Sequence, residues 1–225
     1  MKKNHSQPKA KPSPPHSHQS PQIIGLTGSI ASGKSTVSQM IRKKDIPVIC
    51  ADLLARKALD PHTEASQKVR ALFGKEIILR DGSINRKKLA NLVFGNKNNL
   101  ENLNSIVHPE VLQMIKDKIN VLVKEGYRLI ILDIPLLFEA KLDKLCDKTV
   151  VVYSPHKQIE ERLKKRNGYS DQEIQKRIAS QMDIEKKKTR ADFVIDNSGT
   201  LEETRKQVKD LIGLLVARYS RTRRS

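Results

Sequence analysis

The chain has 225 residues, 37% of them hydrophobic and 30% charged, with no Trp and a formal net charge of +18. That length accommodates one well-buried α/β domain with smaller subdomains rather than several independent domains. The two cysteines, Cys50 and Cys146, are too distant in sequence for metal-ligand spacing; they argue against a disulfide framework, and no apolar run approaches bilayer length.

The first element is an extension. Residues 1–20 carry Lys2, Lys3, Lys9 and Lys11, the prolines Pro8, Pro12, Pro14 and Pro15, and no acid. Such a composition cannot bury enough apolar surface to order itself, so a disordered basic segment is expected. Its irregularly spaced His5, His16 and His18 give little support to a metal site. Nothing after Lys2 and Lys3 forms the apolar core of an export signal, so a cytoplasmic location is expected. Arg218, Arg221, Arg223 and Arg224 load the opposite end, where 219–225 reads as a basic tail, and residues 1–20 together with 215–225 supply eight of the 18 charges. The remaining excess would suit a small polyanionic ligand as well as nucleic acid. Apart from Tyr219 the tails lack interleaved aromatics, so no specific nucleic-acid partner is expected.

Residues 21–218 read as a folded α/β domain. Ile23–Leu26 is a short apolar strand ending in a Gly-rich turn, followed by a helix with Val37, Met40 and Ile41 on one face. Ile46–Ile49 predicts a second strand, closed by Asp52. The stretch 53–125 is mainly helical: Ala65, Val69, Leu72 and Phe73 share a face, as do Leu89, Leu92 and Val93. Val111, Leu112, Ile115, Ile119 and Leu122 mark a longer helix that Pro109 is expected to start at its first turn. Leu129–Leu132, Thr149–Val152 and Phe193–Ile195 are three more apolar strands, the first ending at Asp133 and the last at Asp196. Leu201, Val208, Leu211, Ile212 and Leu215 mark a closing helix. Five short apolar strands separated by helices predict a five-stranded parallel sheet covered on both faces, a three-layer architecture.

The strongest chemical signal is GSIASGKS, Gly28 to Ser35, which satisfies G-x-x-x-x-G-K-[ST] between a buried strand and an amphipathic helix. Loop N–H groups converge on phosphates in such a turn, glycines permit the close approach, and the helix start adds its positive dipole end. Gly28, Ala31, Ser32, Gly33, Lys34, Ser35 and Thr36 are therefore the expected nucleotide-binding residues, with Lys34 reaching the β- and γ-phosphates and the Ser35 hydroxyl binding Mg²⁺. A P-loop alone does not separate kinase from GTPase or motor. No N-K-x-D guanine motif occurs. A small-molecule kinase also needs an acceptor region and a mobile cover, for which 53–125 and the basic stretch 155–190 are the candidates.

IIGLTGSIASGKSTV (Ile23–Val37), VICADLLAR (Val48–Arg56), HPEV (His108–Val111), DIPLLFE (Asp133–Glu139), VVVYSP (Val150–Pro155), ERLKKRNGYS (Glu161–Ser170) and ADFVIDNSGTLEET (Ala191–Thr204) together resemble the ordered motifs of dephospho-coenzyme A kinases. The resemblance spans nearly the whole chain between the tails. It implies a P-loop kinase fold with a helical acceptor-binding region and a lid, and transfer of the ATP γ-phosphate to the ribose 3′-hydroxyl of dephospho-coenzyme A, with ATP as donor and Mg²⁺ as cofactor. A nucleotide or nucleoside kinase of the same fold is the alternative. Departures are Ser29 and Ala31, where the family carries more glycine, and Cys50, where it commonly has a carboxylate.

The resemblance makes Asp52 the general base, placed past a strand end expected to lie beside the P-loop strand; a helix N-cap before Leu53 is the structural alternative. Lys34 joins it as the second catalytic residue. Asp133 resembles the Walker B position and would hold Mg²⁺ with Ser35. Arg162 and Arg166 share a helix face, and with Arg177 and Lys186–Lys188 would form a lid over the triphosphate. Asn197–Gly199 would offer backbone to adenine, while Arg56 and His108 are candidate acceptor contacts. The protein is expected to act as a monomer on small molecules, away from membranes.

Overall fold

The structure, a computed structural model, describes residues 20–93 and 95–221. The extension expected over 1–20 and the end of the basic tail lie almost wholly outside the described residues. Five parallel strands are present: β1 (Gln22–Gly28), β2 (Val48–Cys50), β3 (Leu129–Asp133), β4 (Lys148–Tyr153) and β5 (Phe193–Asp196). They are ordered β2-β3-β1-β4-β5. The connections after β1 run first to one side of it and later to the other, so its C-terminal end is the switch point where α/β proteins bind ligands. β3 stands between β1 and β2. The expectation that the strand before Asp52 flanks the P-loop strand is therefore corrected. The strand that ends at Asp133 takes that place, and Asp52 reaches the site from one strand further out.

Period-two alternation assigns each strand's side chains to two cores. Ile130 and Leu132 pack into the layer formed by α2 (Ala51–Ala58), α3 (Glu64–Phe73), α4 (Arg86–Val93) and α5 (Lys97–Lys124). Ile24, Leu26 and Ile131 face the opposite layer, where α1 (Lys34–Arg42) and α9 (Leu201–Arg221) lie side by side. Val150 and Val152 join that second layer, whereas Val151 between them points the other way. There it meets Ile159 and Leu163 of α6 (His156–Asn167), Ile174 of α7 (Asp171–Ala179) and Ile184 of α8 (Ile184–Arg190). The candidate lid thus has its own apolar root on the sheet, each such fully buried aliphatic contributing about 1.5–3 kcal/mol.

Local chemistry sets the ends of these elements. Thr63 and Asn96 cap α3 and α5 by accepting from Ser66 N–H and Asn99 N–H. Ser170 and Glu173 form a capping box on α7, satisfying two end donors reciprocally. Three expectations need correction. Pro109 does not start a helix but lies inside α5. It withdraws a donor from the Ser105 carbonyl, and since both residues are exposed, water can take that place while buried Val107, Val111 and Ile115 carry the packing. Leu72 and Leu92, expected on buried faces, are 49% and 37% exposed because they fall at the edge of each helix's apolar arc. The second strand spans Val48–Cys50 only, and Ile46 precedes it.

Candidate active site

The turn after β1 folds as the motif requires. Gly33 precedes α1 with φ 95°, and a methyl there would collide with the Asn197 amide, so strain and close approach both demand glycine. At Gly28 a Cβ would lie 2.8 Å from the Val152 carbonyl oxygen, too close for any other residue without moving β4. Ala31 adopts φ 58° despite its side chain. The loop therefore keeps the left-handed turn where the family tends to glycine, at a cost of about 1–2 kcal/mol. Ser29 has no such conflict, since its φ is not positive.

Turning N–H groups inward sends loop carbonyls outward, and a side-chain network receives them. Asn197 Nδ2 donates to Ser32 O at 2.8 Å, and Ser154 Oγ, fully buried, donates to Ser32 O and Asn197 O at 3.2 and 3.1 Å. Arg162 donates through Nη1 to Ser154 Oγ at 2.8 Å and to the Ala31 and Ser32 carbonyls at 3.3 and 3.4 Å. Its Nη2 donates to Asn197 O at 2.7 Å and to Gln158 Oε1 at 3.3 Å. Asn197 is itself held by Thr204 Oγ1, which donates to Asn197 Oδ1 at 2.9 Å. Arg162 and Asn197, expected as nucleotide contacts, line the cleft and also brace the phosphate loop from behind.

A cleft of about 930 Å³ opens in front of the loop. Gly28, Ala31, Gly33, Lys34, Ser35 and Thr36 form its floor. Asp52 and Pro135 close one side, Lys165, Arg166 and Gln181 come from the candidate lid, and Asn197, Gly199 and Leu201 line the rest. The sequence-predicted loop residues, Asp52, Arg162 and Asn197 are therefore brought together. Ser32 and Asp133 are buried just beneath the cleft. Arg56 lies one turn after Asp52 on α2 and touches it electrostatically. His108 is exposed on α5 and is not among the residues lining the cleft.

Lys34 Nζ donates to Asp133 Oδ1 in an ion pair whose side chains are only 15% and 6% exposed. Asp52 stands in the first turn of α2, whose N-cap is Cys50, so the N-cap alternative for Asp52 does not hold. Asp52 opens to solvent at the mouth of the cleft, yet desolvation by the cleft walls raises its carboxyl above the usual range. Lys34 opposes that shift, Asp133 adds to it and Arg56 opposes it. Asp52, Asp133 and the Ser35 hydroxyl are hard oxygen donors, and the first two repel each other across the site. This is chemistry that fits Mg²⁺, which takes one or two carboxylates and completes its shell with water and phosphate oxygens. The described residues contain no cluster of three or more His, Cys, Asp or Glu that could hold a metal ion.

Three cations of the candidate lid, Arg177, Lys187 and Lys188, have partners within the protein. Arg177 stacks on Tyr169 and Lys188 on Tyr153, each 4.1 Å from the ring centroid. Lys187 is completely buried, paired with Glu139 at 2.9 Å. The reason is tertiary: α8 packs against β4 and the turn after β3, which turns one lysine of the run inward. Burial pushes the Lys187 ammonium below the ordinary lysine range, with Glu139 opposing the shift. Sequence reasoning did not single out Lys165, Gln181, Ser154 or Glu139; a basic pair next to Arg166 was the one available hint.

A family model for dephospho-CoA kinase matches residues 22–203, which include every element of this cleft. The chain belongs to the dephospho-CoA kinase family. A dephospho-CoA kinase from Carboxydothermus hydrogenoformans is 51% identical over 190 residues, covering 84% of this chain and 92% of that relative. One from Bacillus cereus is 47% identical over 191 residues, covering 84% and 95%. Among solved structures, a Thermus thermophilus protein superposes with TM-score 0.75 at 34% identity, covering 88% of this chain and 99% of its own. The dephospho-CoA kinase from Campylobacter jejuni gives TM-score 0.60 at 30% identity, covering 85% and 96%. Similarity of this extent includes both regions flanking the dephospho-CoA kinase cleft, not the P-loop alone.

Proposed function

We propose that the chain transfers the γ-phosphate of ATP to the ribose 3′-hydroxyl of dephospho-coenzyme A, completing coenzyme A. One observation carries the reading in this fold: a carboxylate with raised proton affinity, Asp52, shares a cleft with the phosphate loop and Lys34. The loop N–H groups and Lys34 hold the triphosphate, with Lys34 exchanging its bond to Asp133 for phosphate oxygens. Asp133 and Ser35 would hold Mg²⁺, which when bound neutralises charge on the phosphates. Asp52 orients the 3′-hydroxyl and takes its proton as the oxygen attacks, and alignment outweighs basicity because the transferring group needs little covalent help. Lys165 and Arg166 bring positive charge from the lid side, and the backbone at Asn197–Gly199 meets adenine. Arg56 serves the acceptor's phosphates; His108 has no part in the transfer and could meet only the far end of a long acceptor. The regions 53–125 and 155–190 accordingly serve as acceptor platform and lid.

The test is the position of the new phosphate. Product made from ATP and dephospho-coenzyme A should carry it on the ribose 3′-oxygen by ³¹P–¹H correlation, and a phosphate elsewhere would reject the proposed geometry.

A further inference from the structure

Lys187 has no exposed surface, yet its side chain ends in an amino group that water would otherwise solvate. Its ammonium donates to Pro135 O at 3.0 Å and meets Glu139 Oε1 at 2.9 Å. Removing an ammonium from water is costly, and a well-packed apolar pair is often as stable as a buried ion pair. Stability alone therefore gives this pair little reason to exist, and its location supplies another.

Two paths lead from Lys187 to the phosphate site. Along the first, Pro135 lies two residues past Asp133, and its carbonyl also accepts from the buried Thr27 hydroxyl at 2.9 Å, just before Gly28. Ile134 N–H donates to Leu26 O at 2.9 Å, so the backbone carrying Asp133 is tied to β1 on both sides of that residue. Along the second, Glu139 Oε1 accepts Met182 N–H at 2.8 Å, and the adjacent Gln181 accepts Ile30 N–H of the phosphate loop at 3.0 Å. One ammonium thus joins the segment that carries Asp133 to the lid segment that touches the loop.

We propose that Lys187 is a positioning residue for phosphoryl transfer, fixing the Pro135 carbonyl and Glu139 so that Asp133 is aimed at the Mg²⁺-phosphate group while the lid segment stays seated on the loop. The inference rests on the kinase reading above. It assigns Lys187 no contact with substrate, only control over groups that make such contacts.

Lys187→Met combined with Glu139→Gln removes both charges while keeping shape, so it should fold with a melting temperature close to the parent. The Mg²⁺ concentration for half-maximal binding of a fluorescent ATP analogue should rise about 10–100-fold, the usual effect of losing a group that orients a metal ligand. Turnover should fall in step while the acceptor KM changes little. Thr27→Val removes the other bond to the Pro135 carbonyl without disturbing a charge, and should shift the same midpoint in the same direction by a smaller factor. An unchanged Mg²⁺ midpoint in either variant overturns the proposal, including the case where turnover alone falls. Were the parent protein inactive on dephospho-coenzyme A, the functional reading would fail, yet the binding midpoints would still decide the role of Lys187.

Discussion

Replacing Arg162 by Met separates a brace from a ligand. The guanidinium makes two short bonds, 2.7 Å to Asn197 O and 2.8 Å to Ser154 Oγ, and longer ones to the Ala31 and Ser32 carbonyls. Charged hydrogen bonds contribute about 1.5–3 kcal/mol each, but this side chain is half-buried and Ser154 retains its own acceptors, so we expect a loss of about 2–3 kcal/mol in total. For a domain of this size that is a fall in Tm of about 5–10 °C. Differential scanning fluorimetry of the nucleotide-free protein reads it directly. Loss of the brace also loosens the loop, so KM for ATP should rise by about an order of magnitude with a smaller change in kcat. A nucleotide-free Tm equal to the parent's, with only ATP affinity reduced, would refute the argument and leave Arg162 as a direct nucleotide contact.

Asp52→Asn should lower kcat by orders of magnitude while leaving ATP affinity nearly intact; near-normal kcat would remove Asp52 from its role. Because desolvation raises the Asp52 carboxyl, the acidic limb of kcat/KM should lie above the ordinary aspartate range, with activity falling as pH drops through it. The folded protein holds that proton more tightly than the unfolded chain, so this group's contribution favours folding at low pH and is lost as pH rises through the raised pKa. Asp52→Asn should therefore melt higher than the parent near neutral pH, with the gap closing in acid. Lys34→Ala should largely abolish turnover, measured as ADP release. Gly33→Ala, which meets both a φ of 95° and the Asn197 amide, should lose nucleotide binding in a titration with the fluorescent analogue.

Features legible in the sequence are those that local chemistry decides. Gly28–Ser35 declares a phosphate loop because its residue types act through the backbone in place, and the runs at Ile130–Leu132 and Val150–Val152 declare buried strands. Asp52 and Asp133 were readable as strand-end carboxylates, but not the order that puts β3, with Asp133 at its end, between β1 and the strand that precedes Asp52, since strand order is set by packing across the sheet. Pro109 misled because proline is favoured in a helix's first turn, whereas here it sits at an exposed position inside α5. The lysine run 186–188 carries no mark of which member turns inward, a choice made by β4 and the turn after β3. Arg162 and Asn197 were identified from their motifs, while their grip on the Ser32 carbonyl of the loop depends on contacts 130 and 165 residues apart.

The most direct test of the central claim is an acceptor panel: purified protein, labelled ATP and Mg²⁺, with dephospho-coenzyme A set against AMP, UMP, dTMP and nucleosides. The account predicts kcat/KM for dephospho-coenzyme A far above every other acceptor. A nucleotide or nucleoside phosphorylated more efficiently would contradict it.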